Sequence, residues 1–311
     1  MKSKQGLNQL KVGATLSYLS MGLGYLVSII YTPIMIRLLG QSEYGLYNLV
    51  ASVVSYLGVL NFGFGSAYMR YYSRYKVKED KGKIAVLNGM FLTIFSIIGV
   101  IAIVAGIILA LNTDVIFGSE LTNIELYRAR ILMLILVINL AISFPNIVFN
   151  SHITANEEFI FQKVVQVIRI IVNPFLVLPL LLMGYGSVGM VVMTTILNLI
   201  IEIINIIFCI RKLNMKFSFK EFDFKLMKEM TVFSSFIFIN MIIDQINWNL
   251  DKFILGRFHG TISVAIYGLA AQLNTYYKQI STAISNAFIP RIHRLVMKGD
   301  SDRELTQLFT R

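Results

Sequence analysis

Charge is scarce in this sequence: Asp, Glu, Lys and Arg together make up 14% of its 311 residues, while 56% are hydrophobic. A soluble domain of that length carries far more polar surface, so a water-soluble fold is excluded, in agreement with a mean hydropathy of +0.69. Cysteine occurs once, at Cys209, which rules out an internal disulfide and any cysteine-based metal cluster. Histidine is nearly as rare. His152, His259 and His293 fall near span ends in different loops, and no metalloprotease helix, phosphate-binding glycine loop or nucleophile elbow occurs. No enzyme constellation and no cofactor is therefore expected. The single tryptophan, Trp248, reads as a packing or interface residue before a sugar-stacking platform.

What the sequence has in abundance is apolar runs near the ~20 residues that cross a bilayer. They predict an all-α, polytopic membrane bundle of eight spans, at 12–32, 45–69, 84–111, 131–151, 164–183, 187–210, 232–256 and 263–289. A β-barrel would alternate apolar and polar residues, whereas Ile97 to Leu111 is apolar almost without interruption. The basic start, Met1 to Lys11, leads into the first span with no small-residue cleavage site before Pro33, so that span is expected to be a retained anchor. The formal charge of +11 is distributed by loop. Nineteen basic residues lie in one set of alternate loops, from Lys2, Lys4 and Lys11 through Arg70–Lys83, Lys163 and Arg211–Lys228 to Arg291, Arg294 and Lys298; four lie in the other, Arg37, Arg128, Arg130 and Arg257. By the positive-inside rule the N-terminus is cytoplasmic, in an inner membrane. The basic excess is then a matter of topology, with anionic lipid headgroups as its partners and no nucleic acid.

The outer loops are too short for a folded domain, so the chemistry is expected within the membrane. The widest inner loop, Arg211 to Met230, interleaves Phe217, Phe219, Phe222, Phe224, Leu226 and Met227 with lysines, as an interfacial amphipathic helix would. It divides the chain into 1–213, a six-span lobe; 214–230, a cytoplasmic linker; and 231–311, the start of a second lobe. A faint internal echo supports the division: Leu39-Gly40 matches Leu255-Gly256, Tyr44-Gly45-Leu46 matches Tyr267-Gly268-Leu269, and Arg70 matches Arg291. Both hairpins begin inside, so the repeat is parallel.

Leu39-Gly40, then Glu43-Tyr44-Gly45-Leu46-Tyr47, Gly63-Phe64-Gly65 and Arg70 resemble the opening hairpin of polysaccharide flippases in the multidrug/oligosaccharidyl-lipid/polysaccharide exporter superfamily. Asp251 with Ile254-Leu255-Gly256, and Pro290-Arg291, resemble places in that family's second half. The family often has a proline early in the seventh span, where this sequence reads Phe233-Ser234-Ser235-Phe236. The resemblance implies twelve to fourteen spans in two lobes, and so a C-terminally truncated member. It also implies export of a lipid-diphosphate-linked oligosaccharide by alternating access, with polysaccharide-assembly proteins as partners.

Polar residues inside spans are costly, and they mark helix faces turned to a bundle interior or a cavity. Four faces stand out: Asn139, Ser143, Asn146 and Asn150; Gln162, Gln166, Arg169 and Asn173; Asn240, Asp244, Asn247 and Asp251; and Gln272, Thr275, Gln279, Thr282 and Asn286. Glu202 has Asn198 and Asn205 near its own face. The third span, Leu92 to Leu111, is nearly all aliphatic and is expected to face lipid. Arg169 and Lys278 are the candidate cavity cations for a diphosphate, with Arg70 and Arg291 as an inner-mouth pair; each admits the alternative of a structural ion pair or a snorkelling side chain. Asp244, with Asn240 and Asn247, is the candidate for Na⁺ or H⁺ coupling, against a helix-packing hydrogen bond. Three readings compete with the flippase. A multidrug cation antiporter of the same superfamily is not separated by charge, since three acids (Glu202, Asp244, Asp251) face three bases (Arg169, Lys252, Lys278) within spans. A membrane glycosyltransferase would have only Asp114, Glu120 and Glu125 in the longest outer loop. A non-transporting truncated scaffold is the third.

Overall fold

The computed structural model describes the backbone over residues 2–219 and 222–298, and side chains within 12–279 except those of residues 14, 119, 220 and 221. The described chain is helical: α1 (Lys2–Leu39), α2 (Gln41–Leu57), α3 (Phe64–Val77), α4 (Lys81–Leu111), α5 (Thr113–Phe117), α6 (Asn123–Ala155), α7 (Phe159–Leu182), α8 (Gly186–Arg211) and α9 (Phe224–Lys298). Among the described residues, seven stretches are long and apolar enough to span a membrane, the last being Phe224–Gln279. Within α9 the backbone leaves helical geometry at Gly260, with φ 72° and ψ −179°, a conformation that glycine adopts without strain. The expected seventh and eighth spans thus lie on either side of one break. The turn falls four residues beyond Leu255-Gly256, where the sequence echo puts it; Gly256 itself lies within the helix and comes against the Leu49 side chain.

Residues 1–265 form one compact unit and 266–311 a second. In the second, the helix running to Lys298 carries a Gln272 Nε2–Tyr276 Oη hydrogen bond of 2.6 Å.

The second expected span is not continuous. It breaks over Gly58–Phe62 into α2 and α3, with Phe62 and Gly63 at positive φ of 52° and 69°. The Asn61 side chain closes the turn by accepting from the Gly63 N–H at 2.7 Å. A side chain at Gly63 would meet Ile237 of α9, so the break also sets a close helix approach.

The expectation that the third span faces lipid holds for only one of its sides. Ile97, Val100, Ile101, Val104 and Ile108 are exposed, but Gly99, Ala102, Gly106 and Ala110 are buried, and α4 makes its most extensive contact with α6. Small residues at helical spacing let two backbones approach. Pro145 of α6 has no N–H to offer the Ala141 carbonyl four residues back, and Gly99 comes against that carbonyl. Around this contact Phe91, Phe95, Phe144 and Tyr68 are fully buried, and the Tyr68 ring meets Phe91 edge-on at 5.2 Å.

Between Arg211 and Met230 the chain is not helical throughout. Residues 212–219 run as an irregular strap across the start of α4, and α9 begins only at Phe224, with Asp223 capping it through a 2.9 Å bond from the Leu226 N–H. The Ser218 N–H donates to the Ala85 carbonyl at 2.9 Å, and the buried Asn88 donates its amide to the Lys216 carbonyl at 2.8 Å. Gly89 leaves room for the strap. Fully backbone-bonded helix would leave Asn88 without this acceptor, whose absence in a buried site costs about 1–3 kcal/mol.

At the opposite end, the residues of the Glu43-Tyr44-Gly45 string join four helices. Glu43 pairs with Arg128 of α6 and accepts the Ser187 N–H of α8 at 2.9 Å. Glu125 forms a capping box with Thr122 at the start of α6 and also accepts from Ser42 at 2.7 Å and Thr261 at 2.9 Å. Gly45 lies so close to the Thr261 carbonyl that a Cβ would overlap it.

Candidate functional site

A cavity of about 750 Å³ opens between α2, α6, α7 and α8. Its position follows from two polar stripes set in apolar helices. On α6, Asn139, Ser143, Asn146 and Asn150 line it; on α7, Gln162, Gln166 and Arg169 do. The third contribution comes from Asn198, Glu202 and Asn205 of α8. Each stripe is one helical face, since residues three, four and seven apart lie above one another.

Seven carboxamide side chains, two hydroxyls, one carboxylate and two cations, Arg169 and Lys163, therefore face a shared space whose remaining wall is apolar. Arg169 stands roughly 15 Å along α7 from Phe159, and Glu202 about 14 Å along α8 from Arg211, so the two stand at similar depth from the end rich in basic residues. Arg169 is exposed to the cavity while Glu202 is buried, at 8%. Among the described residues no ion pair closes on either; the four recorded are Lys83–Asp80, Arg128–Glu43, Arg130–Asp114 and Lys212–Glu158. The remaining polar atoms are partly tied back. Gln162 donates to the Asn150 carbonyl and to Thr154, and Lys163 donates to Gln166 at 3.1 Å.

Of the residues singled out in the sequence, the structure brings Arg169 to this cavity together with the α6 stripe. Asn173, one turn beyond Arg169, instead meets Thr194 at 3.3 Å. Arg70 stands outside the cavity lining, its guanidinium 4.6 Å from the Phe233 ring. Asp244, Asn240 and Asn247 share an exposed face of α9, and Asn240 turns its amide back to the Phe236 carbonyl at 2.9 Å. Lys278 is an exposed residue of the second unit, and the Arg291 side chain lies outside the described residues. The contribution of α2, from Ala51, Val54 and Ser55, had no signal in the sequence, because one serine in an apolar helix is unremarkable.

The arrangement suits a ligand with many hydroxyls and a negative charge. Carboxamides offer both donors and acceptors to a sugar, and an arginine fork fits phosphate oxygens in pairs.

The sequence matches the family described as polysaccharide biosynthesis protein over residues 10–296. The putative O-antigen transporter of Shigella flexneri is 21% identical over 262 residues, which cover 83% of this chain and 60% of that relative. Among solved structures, a chain named protein A superposes with a TM-score of 0.75 at 15% identity, covering 92% of this chain and 64% of its own. The MATE multidrug transporter DinF-BH, in complex with R6G, superposes with a TM-score of 0.65, also at 15% identity, covering 86% of this chain and 61% of its own. At these identities the two structures share the fold. The chain spans about three-fifths of the length of the relatives it matches.

Proposed function

The chain belongs to the polysaccharide biosynthesis protein family, and on that premise we propose that this multi-pass membrane protein works as a flippase for lipid-diphosphate-linked oligosaccharide. The observation that carries the proposal is the amide-lined cavity with Arg169 at its wall. The sugars exchange hydration for hydrogen bonds to Asn and Gln side chains, while Arg169 meets the diphosphate. An unpaired charge in a low-dielectric site costs several kcal/mol, so an anionic headgroup needs a fixed cation inside. Alternating access would carry the headgroup across, with the lipid tail in the bilayer and Na⁺ or H⁺ movement as the driving partner. The pairs at Glu43 and Glu125 would hold the far end shut while the cavity is loaded from the basic end. The multidrug reading is less well supported by this lining, in which carboxamides outnumber the one acid and, among the described residues, no aromatic side chain faces the space.

Deletion in the native host should make lipid-linked oligosaccharide accumulate in the inner leaflet. Unchanged inner-leaflet levels would reject the proposal. Orientation is tested separately, with the N-terminus proposed to be cytoplasmic in the inner membrane. Single cysteines at Lys78, Lys216 and Lys298 should resist an impermeant reagent applied outside, and one at Ser119 should react; the buried Cys209 leaves the background silent. Outside labelling at Lys216 would overturn this topology.

A further inference from the structure

One part of the cavity collects oxygen atoms that have no hydrogen to accept. On α8, Asn198, Glu202 and Asn205 share a face, as do Asn139, Asn146 and Asn150 on α6. Two rungs join these helices: Asn198 donates to Asn139 Oδ1 at 3.4 Å, and Asn205 donates to Asn150 Oδ1 at 3.2 Å. Asn146 stands between the rungs on α6, and Glu202 stands between them on α8. Both are more than nine-tenths buried, at 7% and 8% exposure. Among the described residues, neither Asn146 Oδ1 nor Asn198 Oδ1 receives a hydrogen bond. Buried acceptors are almost always satisfied, so two orphaned amide oxygens beside a buried carboxylate call for a hydrogen donor or a cation.

We propose that this space between the rungs binds one alkali cation, Na⁺, through the Glu202 carboxylate and the carbonyl oxygens of Asn146 and Asn198. Hard cations take oxygen ligands, and carbonyls with one carboxylate form such a set. Its single negative charge balances a monovalent ion. A divalent ion would add a positive charge that Glu202 cannot balance, in a cavity where Arg169 on the facing helix already awaits an anion. A proton on Glu202 could satisfy one of the two orphaned oxygens and would leave the other. The site differs from the Asp244 face on α9, where Asn240, Asp244 and Asn247 are all exposed. It also stands whatever the cargo is, and its test reads binding rather than transport.

The test is thermal unfolding of the purified full chain in detergent, in NaCl, KCl or choline chloride at constant ionic strength. Na⁺ should raise the midpoint saturably above choline, because a ligand that binds only the folded state stabilises it by mass action. Glu202→Gln should abolish the rise, and Asn146→Ala should increase the half-saturating Na⁺ by at least about tenfold. If Glu202→Gln yields no folded protein, ²³Na line broadening decides: wild-type protein should broaden the line and Asn146→Ala should do so less. Equal midpoints in Na⁺ and choline would overturn the site. So would a Na⁺ response that survives Glu202→Gln, or a stabilisation that follows pH with no dependence on Na⁺.

Discussion

Arg169→Ala should lower polysaccharide export per folded protein to about a tenth of wild type or less, while Arg169→Lys should retain part of it. The estimate takes ~1.5–3 kcal/mol for a hydrogen bond to a charged group, in a site where a second cation of the same reach is not at hand. Lys163, the other basic residue in the lining, is committed to Gln166 near the cavity's basic end. Lysine at position 169 keeps the charge and loses the fork, so partial recovery would mean that charge outweighs shape. The measurement is surface polysaccharide divided by the amount of folded protein in the membrane. Loss of folded protein in the alanine variant, with recovery in Arg169→Met, would instead assign Arg169 to packing. Wild-type export from a well-folded alanine variant would remove it from the substrate path.

Gly45→Val should prevent stable folding, and Gly45→Ala should cost about 1–3 kcal/mol, the range for forcing atoms into a packed site. The added carbon would overlap the Thr261 carbonyl and come within 3.3 Å of the Ala265 nitrogen. Both are backbone atoms, so no rotamer change relieves the contact. Thr261 directly follows the Gly260 break and bonds to Glu125, so displacing it also disturbs the start of α6. Gly22→Ala is the control: nothing lies within 4 Å of its added carbon, and its stability should stay near wild type. Thermal unfolding of the three variants in one detergent separates them, and a stable Gly45→Val would show that α2 and α9 do not meet as described.

These two residues show what the sequence made legible and what it hid. Arg169 belonged to a polar stripe in an apolar helix, a pattern with one physical cause, and that stripe and the α6 stripe do converge. The same spacing in Asn240, Asp244 and Asn247 gave no such result, because periodicity says which residues share a face and nothing of what the face meets. The family resemblance pointed to Glu43-Tyr44-Gly45 as a string without giving its use. Its role depends on Thr261, Arg128 and Ser187, all distant in sequence, and no local rule reports a contact of that range. The α4 face was misread for a similar reason: Gly99, Ala102, Gly106 and Ala110 add little to hydropathy, yet their smallness is what brings α6 close. The helical membrane class was the most legible property, since every long segment repeats the same apolar signal.

The strap over α4 has a consequence for synthesis in time. Asn88 and the Lys216 carbonyl that it serves are 128 residues apart, and at about 5–20 residues per second the ribosome needs some 6–25 s to travel between them. During that interval α4 is already in the bilayer with one arm of Asn88 unanswered, held only by the hydroxyl of Tyr68 at 2.6 Å. The early bundle should therefore wait with a polar hole near its basic end until residue 216 leaves the ribosome. Nascent chains arrested before that point should expose Asn88 to chaperones and proteases, and chains arrested some tens of residues later should not.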